Sequence, residues 1–313
     1  MPYKKKLIIL LSLIAALALT YTASLVFNPE AAGSRSASYV WLDSRFAGRA
    51  AKIVLTGQEK IELVKSNNRW FISRNGMEYP ARQTRIDDFI GLFTTRSAWP
   101  VRSTSASSHS LLGLDEGSAA RITIHGENTT LLDLLIGNED ITGRGVYLRK
   151  VGQNEVRSGE GIASYLAGSV NNWYNLRLIS ETEDGKLDAD SVQRLYVYGL
   201  GEVQSFSRRN RDWVISGLQV ENPDKSSIES YVKAVLNAEG DEFDDSISVN
   251  DPMFNNISIV LELGNGSVKT IRLSEPDESG RCFAAVAGFD FVYSLAPWTV
   301  QRLFKTAADF ERQ

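Results

Sequence analysis

Ser230 and Lys233 stand three residues apart, an order and spacing in which a lysine amine can take the proton of a serine hydroxyl and open acyl-transfer chemistry. The Ser-Asp-Asn and Lys-Thr-Gly companions of such sites are absent, and the helical pattern puts Lys233 on an exposed face, so the pair reads as surface. His109 lies in the serine-rich stretch STSASSHS and His125 at the end of an alternating run. Neither has a partner at metal-ligand spacing, and both read as solvated side chains. Cys282, the single cysteine, sits in RCFAAV and reads as a small buried apolar residue. One thiol excludes an intramolecular disulfide and a thiolate-rich metal centre. The acidic run Glu181–Asp188 invites calcium, but with Gly185 at the turn position the first ligand position falls on Ser180, so a solvated connector is expected. Asp241–Asp245 reads as an acidic surface loop after a helix end. No phosphate loop, no G-x-S-x-G elbow and no H-E-x-x-H pair occurs. The residues assign no catalytic, cofactor-binding or metal-binding position, and no cofactor is implied.

Residues suited to binding are easier to find. Arg208, Arg209 and Arg211 make a basic turn, SRRNRDW, read as an exposed strand connection. Its sharper reading is a contact for anionic lipid headgroups or an acidic partner face. Trp173, Tyr174 and Trp298 would favour a carbohydrate-facing surface if clustered and exposed. Trp70 and Trp213 read as core anchors, because tryptophan buries a large area. The net charge of −4 argues against a nucleic-acid partner held by a general basic field.

The elements that must carry these residues begin at the N-terminus. Lys4, Lys5 and Lys6 precede an uncharged apolar run over residues 7–27. As a helix it would span about 30 Å, a hydrocarbon core. The lysines before it place the N-terminus in the cytoplasm and the bulk of the chain in the periplasm or otherwise outside. The expectation is an uncleaved transmembrane anchor in the lipid bilayer of the inner membrane, over residues 1–27. Residues 28–49 follow as a juxtamembrane linker, opening with the polar, turn-rich NPEAAGSRSAS.

Beyond it the sequence repeats. RWFIS at Arg69–Ser73 returns as DWVIS at Asp212–Ser216. Each lies in a stretch of period-two alternation, Ile53 with Leu55 and Ile61 with Leu63 in the first, Leu195 with Val197 and Trp213 with Ile215 in the second. Each is followed by an amphipathic helix: Ile86, Phe89, Ile90 and Phe93 share a face, as do Ile228, Tyr231, Val232 and Val235. Thr84 is the expected N-cap of the first helix, and Ser226 or Ser227 of the second. Further hairpins follow, turning at Gly126–Asn128 and at Gly264–Gly266, and a last helix closes each copy. The expected fold class is α+β: a transmembrane helix followed by two tandem copies of a βββ-α-ββββ-α unit with mainly antiparallel sheets. The copies span residues 50–170 and 192–313, joined by a connector over 171–191.

NRWFI at Asn68–Ile72, TRIDDFIGLF, LLGLDEGSAARITIHG at Leu111–Gly126, LLIGNEDITGRGVYLR at Leu134–Arg149 and NNWYNLRLIS at Asn171–Ser180 resemble the bacterial domain-of-unknown-function 4340 family. The resemblance covers most of residues 50–305. It implies a membrane helix, an extracytoplasmic repeat region and an accessory role beside gliding-motility-type ABC transporters, and it assigns no active residue. The leading expectation is therefore a membrane-anchored, non-enzymatic accessory or interaction subunit of an ABC transport system, touching its permease or other envelope proteins. A solute- or glycan-binding protein with a cleft between the copies is the alternative. An envelope-polymer hydrolase is the third reading, and it requires a constellation that the residues above do not form.

Overall fold

The computed structural model describes residues 38–179, 187, 189–201, 203–210 and 212–312, together with Ile14, Leu17 and Thr20. The chain divides into two compact units, residues 1–174 and 175–313.

The first unit opens with strand β1 (Ser38–Tyr39) and the short helix α1 (Ser44–Ala47). A meander follows: β2 (Lys52–Thr56), β3 (Lys60–Ser66), β4 (Arg69–Arg74) and β5 (Met77–Pro80). Next come helix α2 (Gln83–Thr94) and the short strands β6 (Ser97–Ala98) and β7 (Val101–Ser103). The unit ends with β8 (Ala120–His125), β9 (Thr130–Glu139), β10 (Gly145–Lys150), β11 (Val156–Glu160), helix α3 (Ala163–Leu166) and a 3-10 turn at Val170–Trp173. Its nine-stranded sheet has the order β5-β4-β3-β2-β8-β9-β10-β11-β7, antiparallel throughout. A two-stranded sheet pairs β1 with β6.

The second unit runs β12 (Val192–Tyr198), β13 (Gln204–Arg209), β14 (Asp212–Ser216), helix α4 (Lys225–Leu236), β15 (Glu242–Asp244), β16 (Ile257–Leu263), β17 (Val268–Leu273), β18 (Cys282–Val286), β19 (Val292–Leu295) and helix α5 (Pro297–Leu303), and closes with a 3-10 turn at Ala307–Phe310. Its eight strands take the order β14-β13-β12-β16-β17-β18-β19-β15. With β5 set aside, this is the strand order of the first unit. Trp70 and Trp213 occupy the second position of β4 and β14, each one step from the closing pair of its hairpin, Ser66 with Arg69 and Arg209 with Asp212. Asn67, Asn68 and Asn210 take positive φ in these two-residue turns, which suits the right-handed twist of the strands they join.

Several expectations are corrected. The chain is mostly β rather than α+β: two large antiparallel sheets dominate, and only α2 and α4 reach 12 residues among the described helices. No helix among the described residues is long and apolar enough to cross a membrane, so the expected N-terminal transmembrane helix is not part of the described fold. Apart from Ile14, Leu17 and Thr20, residues 7–27 lie outside it. Each helix is followed by a strand that the alternation did not show, β7 and β15, too short at three residues to display a period. The first unit also holds β5, folded back by Asn75-Gly76 with both residues at positive φ; the second has a lone Gly217 there and no counterpart strand.

The division at Tyr174–Asn175 falls inside the stretch expected as a connector, 171–191. Trp173 and Tyr174 are buried in the first unit, and the N–H of Arg82 donates to Trp173 O at 2.7 Å. Asp224 N–H donates to Phe310 O at 2.8 Å in the same place of the second unit. Apolar bulk explains the difference, because a linker would leave that area in water.

Helix α2 buries Ile86, Phe89 and Phe93 against its sheet, and α4 buries Ile228, Tyr231, Val232, Val235 and Leu236. Both cap assignments differ from expectation. Arg82 precedes α2 and makes no side-chain cap bond, with Thr84 already inside the helix. Asp224 caps α4 by accepting from Ser226 N and Ser227 N, two residues before the first of the serines, which lie inside the helix.

Candidate functional site

The groups singled out for chemistry are placed apart from one another and tied into local structure. Lys233 donates to Glu229 at 2.6 Å on the outer face of α4, an i, i+4 ion pair that leaves Ser230 alone. His109 Nε2 lies 3.3 Å from Asn154 O, and His125 Nδ1 lies 3.3 Å from Thr130 Oγ1. Cys282 is fully buried on β18, and burial, aided by the Asp277 carboxylate, pushes its thiol up to about 12. Arg208 is held by Asp190 and Ala189 O. Arg211 lies outside the described residues, as does most of the acidic stretch 181–188. Among the described residues no group of three or more His, Cys, Asp or Glu side chains could hold a metal ion. Trp70, Trp173, Tyr174 and Trp213 are all buried, which removes Trp173 and Tyr174 from any carbohydrate-facing surface.

Trp298 is the exception. Helix α5 starts with Pro297, whose fixed φ suits the first helical position. The helix buries Thr299, Val300 and Leu303, so Trp298 and Arg302, four apart, face outward together. Trp298 is 64% exposed. It lines a cleft of about 200 Å³ with Arg302, Asn237, Glu239 and Asp241. The second wall is the chain leaving α4. Asn237 ends that helix, its amide donating to Lys233 O at 2.8 Å. Gly240 passes so close to β19 that a Cβ would stand 3.0 Å from the Tyr293 ring and 3.1 Å from Ser294 O. That approach fixes the carboxylates on either side of it. Glu239 pairs with Arg177 at 3.3 Å and Asp241 with Arg281 at 3.6 Å, and Thr299 Oγ1 donates to Glu239 O at 3.3 Å. The cleft offers an aromatic face, a guanidinium and carboxylates on a fixed frame. This arrangement can bind and orient; it contains no nucleophile–base pair.

The first unit exposes a different surface. Leu111 is 81% and Ile141 89% exposed, the first in the loop before β8, which is bonded to the end of β9, and the second in the turn that follows β9. Asn138 N–H donates to Leu112 O at 2.9 Å, and the Asn138 amide to Leu111 O at 3.4 Å. Gly113, at positive φ, turns the chain so that Leu114 enters the core with Leu135, Tyr147 and Val156 while Leu111 stays out. Asp140 Oδ1 accepts from Thr142 N at 2.9 Å and from Thr142 Oγ1 at 2.6 Å, which stiffens the loop carrying Ile141. Those bonds, the hydroxyl of Thr142 first, hold the Asp140 carboxyl below its ordinary value.

Sequence reasoning reached Trp298 but missed Arg302, Glu239, Leu111 and Ile141. Pro297-Trp298 with an arginine one turn on was the available signal for Arg302. Nothing in the spacing separates Leu111 from Leu114. A family model described as "Domain of unknown function (DUF4340)" matches residues 70–253. No curated protein and no solved structure matches the chain.

Proposed function

The chain belongs to the domain-of-unknown-function 4340 family, and from that premise we propose that it works by binding, as an accessory or interaction subunit of an ABC transport system. In this reading the protein is held at the cytoplasmic membrane through its lysine-flanked apolar run, with both β units on the outer side. The observation that carries the proposal is the pair Leu111 and Ile141, two large aliphatic side chains almost wholly in water on hydrogen-bonded loops. Scattered apolar side chains are ordinary at surfaces, but two so fully exposed, each on hydrogen-bonded backbone, lose little entropy when a partner covers them. Residues 28–37 reach about 33–36 Å at full extension, which keeps the first unit within reach of a partner in the same membrane. Confinement of that kind raises the effective concentration, so a modest contact suffices.

The test is co-purification of the permease with the full chain from mildly solubilised membranes. Leu111→Ser combined with Ile141→Ser should abolish recovery of the transporter while changing stability by no more than about 0.5 kcal/mol. His109→Ala and His125→Ala should leave function intact. Undiminished recovery by the double variant, or loss of function in a folded histidine variant, would refute the reading.

A further inference from the structure

We propose that the outer edge of β14 is a docking site for an extended segment of a partner protein, which joins the second unit's sheet as an antiparallel strand with a large apolar residue opposite Ile215. The inference goes beyond the transporter reading and rests on other residues, in the other unit.

The free edge follows from the ladder. Arg209 and Asp212 close a two-residue turn as a hydrogen-bonded pair, so alternation points the N–H and C=O groups of Trp213 and Ile215 away from β13. None of these four groups has a hydrogen-bond partner among the described residues. In the first unit the matching groups are used. Strand β5 pairs with β4, Tyr79 opposite Ile72, and Ala81 N–H donates to Trp70 O at 3.0 Å. Ala81 and Pro223 hold the same place, Ala81 bridged to Tyr174 and Pro223 to Glu311 at the ends of their units. A proline has no N–H, so Trp213 O lacks the donor that Trp70 O has. The chain from Gly217 to Pro223 makes no backbone hydrogen bond to β14; within it Val220 N–H donates to Leu218 O. The side chains register the difference. Ile72 is buried, whereas Ile215 is half-buried and Val214 is 39% exposed.

An edge strand invites pairing, and proteins blunt an edge that must stay single by shortness, charge or proline. Strand β5 has four residues, with Glu78 and Pro80; β7 has three, with Arg102; β15 has three, with Glu242 and Asp244. Strand β14 has five, and Trp213-Val214-Ile215-Ser216 carries neither charge nor proline. Of the outer strands of the two large sheets, it alone is unguarded. Strand addition draws affinity from backbone bonds and specificity from alternate side chains. The first unit specifies that side chain: Tyr79, wholly buried, stands opposite Ile72, the counterpart of Ile215.

A peptide with the sequence of residues 74–82, RNGMEYPAR, serves as the probe strand. Labelled with fluorescein, it should give a saturable rise in anisotropy with the full chain, at a Kd below about 1 mM. Hydrogen exchange at the Trp213 and Ile215 amides should slow when it binds. The same peptide carrying Tyr79→Ser should bind about tenfold more weakly or worse. In the protein, Ile215→Pro removes one outward N–H and leaves the ladder to β13 intact, and Val214→Lys sets a charge on the edge. Each should abolish binding while the melting temperature stays within a few degrees. The proposal is overturned if the peptide does not bind at about 1 mM, or if binding survives both protein variants. It is equally overturned if sedimentation shows a dimer that Ile215→Pro dissolves, because the occupant would then be a second copy.

Discussion

The Asp224 carboxylate accepts from the backbone N–H groups of Ser226 and Ser227 and from both of their hydroxyls, at 2.7 to 3.3 Å. These bonds, the Ser227 hydroxyl first, hold the carboxyl down at about 2 against an ordinary value of 3.8. A depressed carboxyl stabilises the fold above its ordinary value, and the contribution is lost as pH falls through the folded value. Thermal melts should therefore lose stability between about pH 4 and 2, and Asp224→Ala should lower the melting temperature at pH 7 by a few degrees and flatten that acid limb. An unchanged acid limb in the variant would refute the assignment. Cys282 makes the opposite case: a buried thiol pushed up to about 12 presents almost no thiolate, so iodoacetamide at pH 8 should label the protein only after denaturation. Prompt labelling of the native chain would contradict that burial. Residue identity alone suggested an inert cysteine, because its neighbours Phe283, Ala284, Ala285 and Val286 are apolar. It did not select Asp224 over two adjacent serines, since all three can cap and only the φ/ψ of the entering chain decides.

Strands β4 and β14 place their tryptophans at the same step from the hairpin, and both rings are buried. Trp70→Ala and Trp213→Ala should each cost about 3–5 kcal/mol in denaturant titrations, and a loss near 0.5 kcal/mol would mean an exposed ring. Gly159 on β11 is a harsher constraint. The Trp99 ring sits where its Cβ would be, so Gly159→Ala should destabilise by about 1–3 kcal/mol despite adding one methyl group, and Trp99→Leu should partly rescue it. Period two marked most of the long strands, because each sheet has one face in the core and Ile53, Leu55, Ile61 and Leu63 all point there. The short edge strands β7 and β15 escaped, since three residues cannot display alternation. Strand β5 escaped for another reason: Met77–Pro80 carries a proline and little β-branching, and its pairing depends on the Asn75-Gly76 turn.

At the scale of the molecule, each unit contains a complete sheet with its own helices. A chain of residues 175–313 should therefore fold by itself and melt in one cooperative step, and failure to melt cooperatively would show that the units depend on each other. The duplication was legible because buried tryptophans and helix faces resist drift, whereas the division at Tyr174 was hidden by an asparagine-rich stretch that resembles a loop in composition. The strand order also has a consequence in time. In the nine-stranded sheet β7 pairs only with β11, so the first of these two strands has to wait for roughly fifty further residues before its partner exists. At about 5–20 residues per second of synthesis that delay is on the order of 3–10 s. During it Val101–Ser103 is an unclaimed edge on an unfinished sheet, and the second unit repeats the wait between β15 and β19. The chain thus passes twice through an interval in which it is sticky, and any chaperone that shields it must stay bound at least that long.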